Sequence, residues 1–269
     1  MKKWLRFGLI LVAVPLLVYF GIGGGCGTKA NNSRLDSTKL AHFAHRAGDA
    51  VLPENSAEGI ARSIALGYDG VEIDIHATSD NVFVLLHDDS CRRMLGIDGT
   101  VDQHTWAELK DLQVRNHTIP TDLRPARLDS VLARYGESLL FYLDVKVTGR
   151  DQAHSIAQLV ERFAPKENVL IASSSIPFIT ALEYNHPELN TVLEGFDKGE
   201  EWTWWLFPKN FRPDFVSSFD DEVDDAHIAW LRQHDLLTCK LVYGLDSSGY
   251  QRMRRAGISR FIVDEGMPR

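Results

Sequence analysis

From residue 40 onward, short apolar runs of strand length alternate with stretches in which apolar side chains recur every three or four residues. Val71, Ile73 and Ile75 alternate with Glu72, Asp74 and His76, the period-two pattern of a strand with two unlike faces. Residues 40–44, 82–86, 139–147, 169–172, 191–193, 215–219, 237–242 and 261–263 read as further strands. Between them, residues 55–66, 106–112, 128–135, 156–163, 178–184, 226–233 and 250–255 carry helical spacing. Asn55 and Glu58 have capping-box spacing at the start of the first helix, and Gly67 stops it. Repeated strand–helix units imply a parallel sheet with helices outside it. About eight such units in about 230 residues favour a closed (β/α)8 barrel over an open sheet. After residue 263 there is no room for a full last helix, and residues 28–40 are expected to cover that gap.

The first thirty residues differ from the rest. Lys2, Lys3 and Arg6 precede an uncharged stretch, Phe7 to Ile22, interrupted by Pro15 and followed by a Gly-rich turn at Cys26. A basic start and an apolar run read as a secretory signal or membrane anchor over residues 1–27, placing the body outside the cytosol. Cys26 after small residues also raises a lipoprotein site, although Gly23 stands where such sites usually have leucine. Residues 28–39 read as a polar linker and residues 40–269 as the barrel domain.

The chain has 269 residues, 44% apolar and 25% charged, the composition of a folded globular protein. Its formal charge is −8. Four of the 29 basic residues and no acid lie in the first 29 positions, leaving 25 basic against 37 acidic side chains in the body. So acidic a body excludes nucleic acid as a partner and suits a divalent cation. Cys26, Cys91 and Cys239 are too few and scattered for a disulfide framework or a zinc site.

In a barrel of this kind the active site lies at the C-terminal ends of the strands. His45 and Arg46 end the first strand, Glu72 and Asp74 share a face of the second, His87 follows the next β run, and Asp144 and Lys146 share a face of the third. Alone, each has an ordinary reading: a hydrogen-bonded histidine, a solvated strand face, a surface ion pair. Together they crowd three carboxylates into one mouth, which requires a cation. Oxygen donors suit Mg²⁺ or Ca²⁺, two imidazoles offer an acid and a base, and Arg46 and Lys146 suit a phosphate. The remaining histidines, His76 among them, have no such placement.

His45-Arg46, Pro53-Glu54-Asn55-Ser56, Glu72-Ile73-Asp74 with Thr78-Ser79-Asp80, and His87-Asp88 together resemble the glycerophosphodiester phosphodiesterase family. The match is densest over residues 40–146, and Gly257-Ile258 and Ile262-Val263-Asp264 with Pro268 resemble the family's closing strand. The resemblance implies a TIM barrel in which Glu72, Asp74 and Asp144 bind one divalent cation, Mg²⁺ or Ca²⁺. It implies His45 and His87 as the acid–base pair, Arg46 and Lys146 at the substrate phosphate, and Glu54 bracing the first loop. The sequence departs from the pattern at Ala47, where a glycine is usual, and at Asp144, where glutamate is frequent. Asp144-x-Lys146 is similar to lysophospholipase D members and to sphingomyelinase D.

The expected activity is metal-dependent hydrolysis of glycerophosphodiesters to glycerol phosphate and an alcohol. The alternatives are a lysophospholipase D or sphingomyelinase D-like phospholipase, and a catalytically silent binding barrel. The expected partners are a small phosphodiester or lysophospholipid and, through the N-terminal segment, a membrane. Trp202, Trp204, Trp205, Leu206 and Phe207 admit two readings: packing of a helix on the barrel, or a lip touching an acyl chain or bilayer.

Overall fold

The computed structural model describes residues 25, 26, 35, 39–48 and 50–267. The apolar N-terminal run, most of the linker and Pro268 lie outside the described residues. Nine strands form the main sheet: β1 Ala41–Ala44, β2 Gly70–Ala77, β3 Phe83–Leu85, β4 Leu140–Val145, β5 Val169–Ser173, β6 Asn190–Glu194, β7 Phe215–Phe219, β8 Lys240–Tyr243 and β9 Arg260–Val263. Eight are parallel and run β1-β9-β8-β7-β6-β5-β4-β2, and β1 pairs with β2 to close the ring. β3 is antiparallel and hangs on the outer end of β2. The fold is a TIM barrel.

Outside the ring stand α1 Ala57–Ala65, α2 Leu128–Tyr135, α3 Arg150–Phe163, α4 Ile176–Asn185, α5 Asp225–Gln233 and α6 Ser247–Ala256. No helix follows β9 among the described residues. Residues 106–112 make only a four-residue turn, Trp106–Leu109. The 237–242 run is split, with a 3-10 turn at Leu237–Cys239 before β8.

The alternation in β2 sorts its side chains as the pattern requires. Val71, Ile73 and Ile75 are fully buried against the helices, in one cluster with Ile60, Leu132 and Ile156. Phe43, Tyr142, Leu170, Phe215 and Leu241 fill the barrel interior. Leu35 joins that interior cluster, and its carbonyl accepts a hydrogen bond from Arg260. Leu35 thus plugs the floor of the barrel, and the rest of the segment expected to cover the missing helix lies mostly outside the described residues.

Two sequence readings are corrected here. The aromatic run is not a helix: it forms 3-10 turns at Glu201–Leu206 and Lys209–Phe211 in the outer slot between β6 and β7. Trp204 and Phe207 are buried, whereas Trp202, Trp205 and Leu206 are exposed. Trp205 packs edge-on against His234 at the end of α5, the floor end, whereas Trp202 follows Glu201, which bonds His227 at the start of α5. The cysteines, too far apart in sequence to suggest a pair, contain one: Cys26 and Cys239 form a disulfide across 213 residues.

Gly70 sits where the interior is tightest. A β-carbon there would meet the Phe43 ring at 2.5 Å and the Leu140 carbonyl at 2.8 Å. Backbone and a packed ring cannot both yield, so Gly70→Ala is expected to cost about 1–3 kcal/mol. Urea unfolding followed by tryptophan fluorescence checks this, with a lower midpoint and an unchanged slope as the expected outcome.

Candidate active site

The mouth of the barrel holds a cavity of about 530 Å³, lined by His45, Arg46, Glu72, Asp74, His87, Asp144 and Lys146 together with residues of β6 to β9. The structure thus brings together seven of the eight sequence-predicted residues, and the eighth, Glu54, stands directly behind Arg46.

The carboxylates come from two neighbouring strands in register. Asp74 on β2 is the lateral partner of Asp144 on β4, and Glu72 lies one inward position lower. Glu72, Asp74 and Asp144 offer oxygens that all lie within 4.8 Å of one another. Burial, then the charges of Asp74 and Asp144, push the Glu72 carboxyl well above the usual carboxylate range. Burial also works against Asp74, but Lys146 and Asn55 overcome it and hold Asp74 below its usual value. Lys146 Nζ lies 3.0 Å from Asp74 and 2.5 Å from Asp144, and these two anions keep it charged despite its burial.

A hard divalent cation fits this donor set. The three groups are all oxygen donors, all buried, and close enough to share one ion. The raised Glu72 carboxyl is the mark of a negative cluster with too little positive charge around it. A second carboxylate–histidine group, Glu161, His186 and Glu188, lies on the outer helices. It needs no ion: His186 bridges Glu161 and His154 at 2.8 and 2.7 Å, and Lys166 pairs with Glu188.

The first loop is built around a left-handed turn. Arg46 and Ala47 have φ of 48° and 61°. Such a conformation costs an L-residue roughly 1–2 kcal/mol, which is why glycine is usual at position 47. The turn lets the Arg46 amide donate to Glu72 at 2.7 Å while its side chain stays at the mouth. The guanidinium contacts Glu54 at 3.3 Å, and Arg93 binds the same carboxylate at 2.6 and 3.0 Å. Arg46 Nε is buried and donates to no group among the described residues, so it is available to a phosphate oxygen.

The two imidazoles are oriented alike. His45 Nδ1 lies 2.7 Å from Asp264, which follows β9, and His87 Nδ1 lies 2.8 Å from Asp88. Each carboxylate fixes the Nδ1–H tautomer and leaves Nε2 to the cavity. The Asp88 carboxyl is held at about 2, chiefly by its hydrogen bonds from Arg93. That of Asp264 is lowered by its hydrogen bond to His45.

Four residues of this centre had no role in it assigned from the sequence, although Asn55, Asp88 and Asp264 lie in the motifs named above. Asp88 and Asp264 orient the histidines. Asn55 is not a helix cap; Ser56 is, its side chain accepting from the Gly59 amide. Asn55 takes a left-handed conformation and clasps Asp74, donating from Nδ2 at 2.8 Å and accepting the Asp74 amide at 2.9 Å. Glu194 at the end of β6 is buried in the mouth. Burial, then the charge of Asp144 and a hydrogen bond to it, push its carboxyl well above the usual range. Its place at the end of a strand was the one signal available.

Known proteins share these features. Residues 45–235 match the model of the glycerophosphoryl diester phosphodiesterase family. A human glycerophosphodiester phosphodiesterase 1 is 26% identical over 144 residues, 52% of this chain and 44% of that protein. A human lysophospholipase D is 27% identical over 174 residues, 61% of this chain and 54% of that protein. The chain thus matches about half the length of these curated relatives. Among solved structures, an Oleispira antarctica phosphodiesterase in complex with the product sn-glycerol-3-phosphate superposes with a TM-score of 0.72 at 18% identity, covering 85% of this chain and 94% of that one. A Thermotoga maritima glycerophosphodiester phosphodiesterase gives 0.68 at 22%, covering 84% and 95%. With a family match that runs over residues 45–235, from His45 through five of the eight barrel strands, this chain belongs to the glycerophosphoryl diester phosphodiesterase family.

Proposed function

We propose that the barrel is a metal-dependent phosphoric diester hydrolase that cleaves glycerophosphodiesters to glycerol phosphate and an alcohol. The observation that carries this reading is the convergence of a buried three-carboxylate cluster with two imidazoles, each held at Nδ1 by its own carboxylate. Family membership and the product complex of the Oleispira structural neighbour support it.

Glu72, Asp74 and Asp144 would hold the cation, Mg²⁺ or Ca²⁺, which supplies electrostatic stabilisation of charge on the phosphate oxygens. Arg46 and Lys146 face the same phosphate and share that charge from fixed positions, so little reorganisation is needed during reaction. One imidazole takes a proton at Nε2 from the attacking hydroxyl, and the other gives a proton to the leaving alcohol. Asp88 and Asp264 stabilise whichever imidazolium forms. Glu54 acts through Arg46 and Arg93, bracing the loop. Phe219 and Tyr243, 4.3 Å apart, wall the side of the cavity opposite the histidines and suit the carbon skeleton of the alcohol.

A lysophospholipase D is the second reading, favoured by Asp144 in place of glutamate and by the human relative of that name. A silent binding barrel would be expected to lose a ligand or a histidine, and this one has all five. Residues 1–27 are proposed as a membrane anchor, with the catalytic domain on the periplasmic or extracellular side. Among the described residues no helix is long and apolar enough to cross a membrane. The disulfide supports an oxidising compartment. It also favours an anchor over a lipoprotein, since a sulfur in a disulfide is not available for acylation.

Exhaustive chelation is expected to abolish turnover of glycerophosphocholine, and Mg²⁺ or Ca²⁺ to restore it. Turnover that survives chelation removes the metal from the mechanism. His45→Ala and His87→Ala are each expected to lower kcat by about 10²-fold or more, with unchanged thermal melting. Glu72→Gln is expected to weaken divalent-cation binding while raising the stability of the metal-free protein. The sign follows from linkage: folded Glu72 keeps a proton that the unfolded chain releases, so metal-free stability falls as pH rises above the free-carboxyl range. The glutamine variant lacks that slope, which melting curves across neutral pH in chelator will show.

A further inference from the structure

We infer that the floor of the barrel rests on the bilayer, clamped there by Cys26–Cys239, so that the catalytic mouth faces away from the membrane and takes its substrate from water. This rests on reading residues 1–27 as an anchor.

The N-terminal segment meets the barrel at one defined place. Cys26 is bonded to Cys239, which immediately precedes β8, and the Gly25 amide donates to the His234 carbonyl at 2.6 Å. Both partners belong to the turn between α5 and β8, at the end of the barrel where strands begin. Anything attached before residue 25 therefore leaves from the floor. The sequence before that point is apolar from Phe7 to Ile22 and carries Lys2, Lys3 and Arg6 at its far end.

Two exposed aromatic residues, Trp205 and Tyr184, lie at the same end, whereas Phe219 lines the mouth. Trp205 packs on His234 at 5.7 Å between ring centroids, beside the Gly25 attachment, and exposes 37% of its surface. Leu206 beside it is 48% exposed. Tyr184, in the last turn of α4 and 70% exposed, packs at a tilt against Phe211 at 5.7 Å between ring centroids. A rim of Trp, Leu, Phe and Tyr next to the departure point of an apolar segment has the composition of a membrane–water boundary. Exposed Lys209 within it suits an anionic headgroup.

The mouth lies at the other end of the strands. With five or six residues rising about 3.3 Å each and a barrel tilt, the carboxylates stand about 15 Å above the floor. An acyl chain embedded in the same bilayer cannot reach them, whereas a water-soluble glycerophosphodiester can. The surface thus selects between the two substrate classes that the site alone leaves open.

The test uses the full chain carrying Trp4→Phe, in vesicles of phosphatidylcholine and phosphatidylglycerol with acyl chains brominated near the headgroup. Co-flotation with quenched tryptophan fluorescence is expected, and Trp205→Phe should remove about half or more of the quenching. Cys239→Ser should still co-float and hydrolyse glycerophosphocholine at the parent rate, but lose quenching about twofold as the domain swings on its tether. Lysophosphatidylcholine held in the same vesicles should be hydrolysed far more slowly than soluble glycerophosphocholine. A chain that does not float removes the anchor and this inference together. Flotation with no quenching at Trp205, or with quenching unchanged in Cys239→Ser, overturns the orientation and leaves the anchor standing.

Discussion

Three carboxylates forced together on adjacent strands are the constraint around which the rest of the mouth is arranged. Because Asp74 and Asp144 are register partners, parallel pairing itself brings two negative charges side by side, and Glu72 adds a third below them. Left alone, such a cluster would oppose closure of the barrel. Lys146 lies across two of the three, Asn55 holds Asp74 by both ends of its amide, and the Arg46 backbone amide binds Glu72. Even so, burial and the charges of Asp74 and Asp144 hold the Glu72 carboxyl above the usual carboxylate range. Such a concentration of buried negative charge suits a cation, and it is maintained at the expense of stability.

The strained first loop belongs to the same arrangement. A relaxed turn after β1 would not bring the Arg46 amide to Glu72. The left-handed pair Arg46–Ala47 is held by that hydrogen bond, by the Asn55 amide donating to the Arg46 carbonyl at 2.8 Å, and by Glu54 behind the guanidinium. Local strain here is offset by contacts to residues that themselves belong to the site.

Much of this was legible in the chain. The alternation of Val71, Ile73 and Ile75 with Glu72 and Asp74 specified a strand and which of its faces carries chemistry, and recurring strand–helix units specified the barrel. Histidines at strand ends pointed to the mouth. What could not be read were partners distant in sequence. Asp264 lies 219 residues from His45, and Cys239 lies 213 from Cys26. Nothing local distinguishes such an aspartate or cysteine from any other. Asn55 was misread because capping preference and a buried clasp select the same residue type, and only the fold shows which role it plays. The aromatic run was ambiguous for a similar reason: tryptophan suits a core and an exposed surface equally, and the structure buries Trp204 and leaves Trp205 partly exposed.

The pairing of His45 with Asp264 ties the chemistry to the order in which the chain emerges during synthesis. Both histidines and all three carboxylates lie within the first 144 residues, yet the group that orients His45 arrives only after β9 docks between β1 and β8. Glu265 reinforces the same seam by binding Arg62 on α1 at 3.1 Å. A nascent chain therefore carries both imidazoles and all three carboxylates for nearly half of its elongation before His45 gains its partner. The pairing that orients His45 is thus made only in the closing step, when the ring is complete.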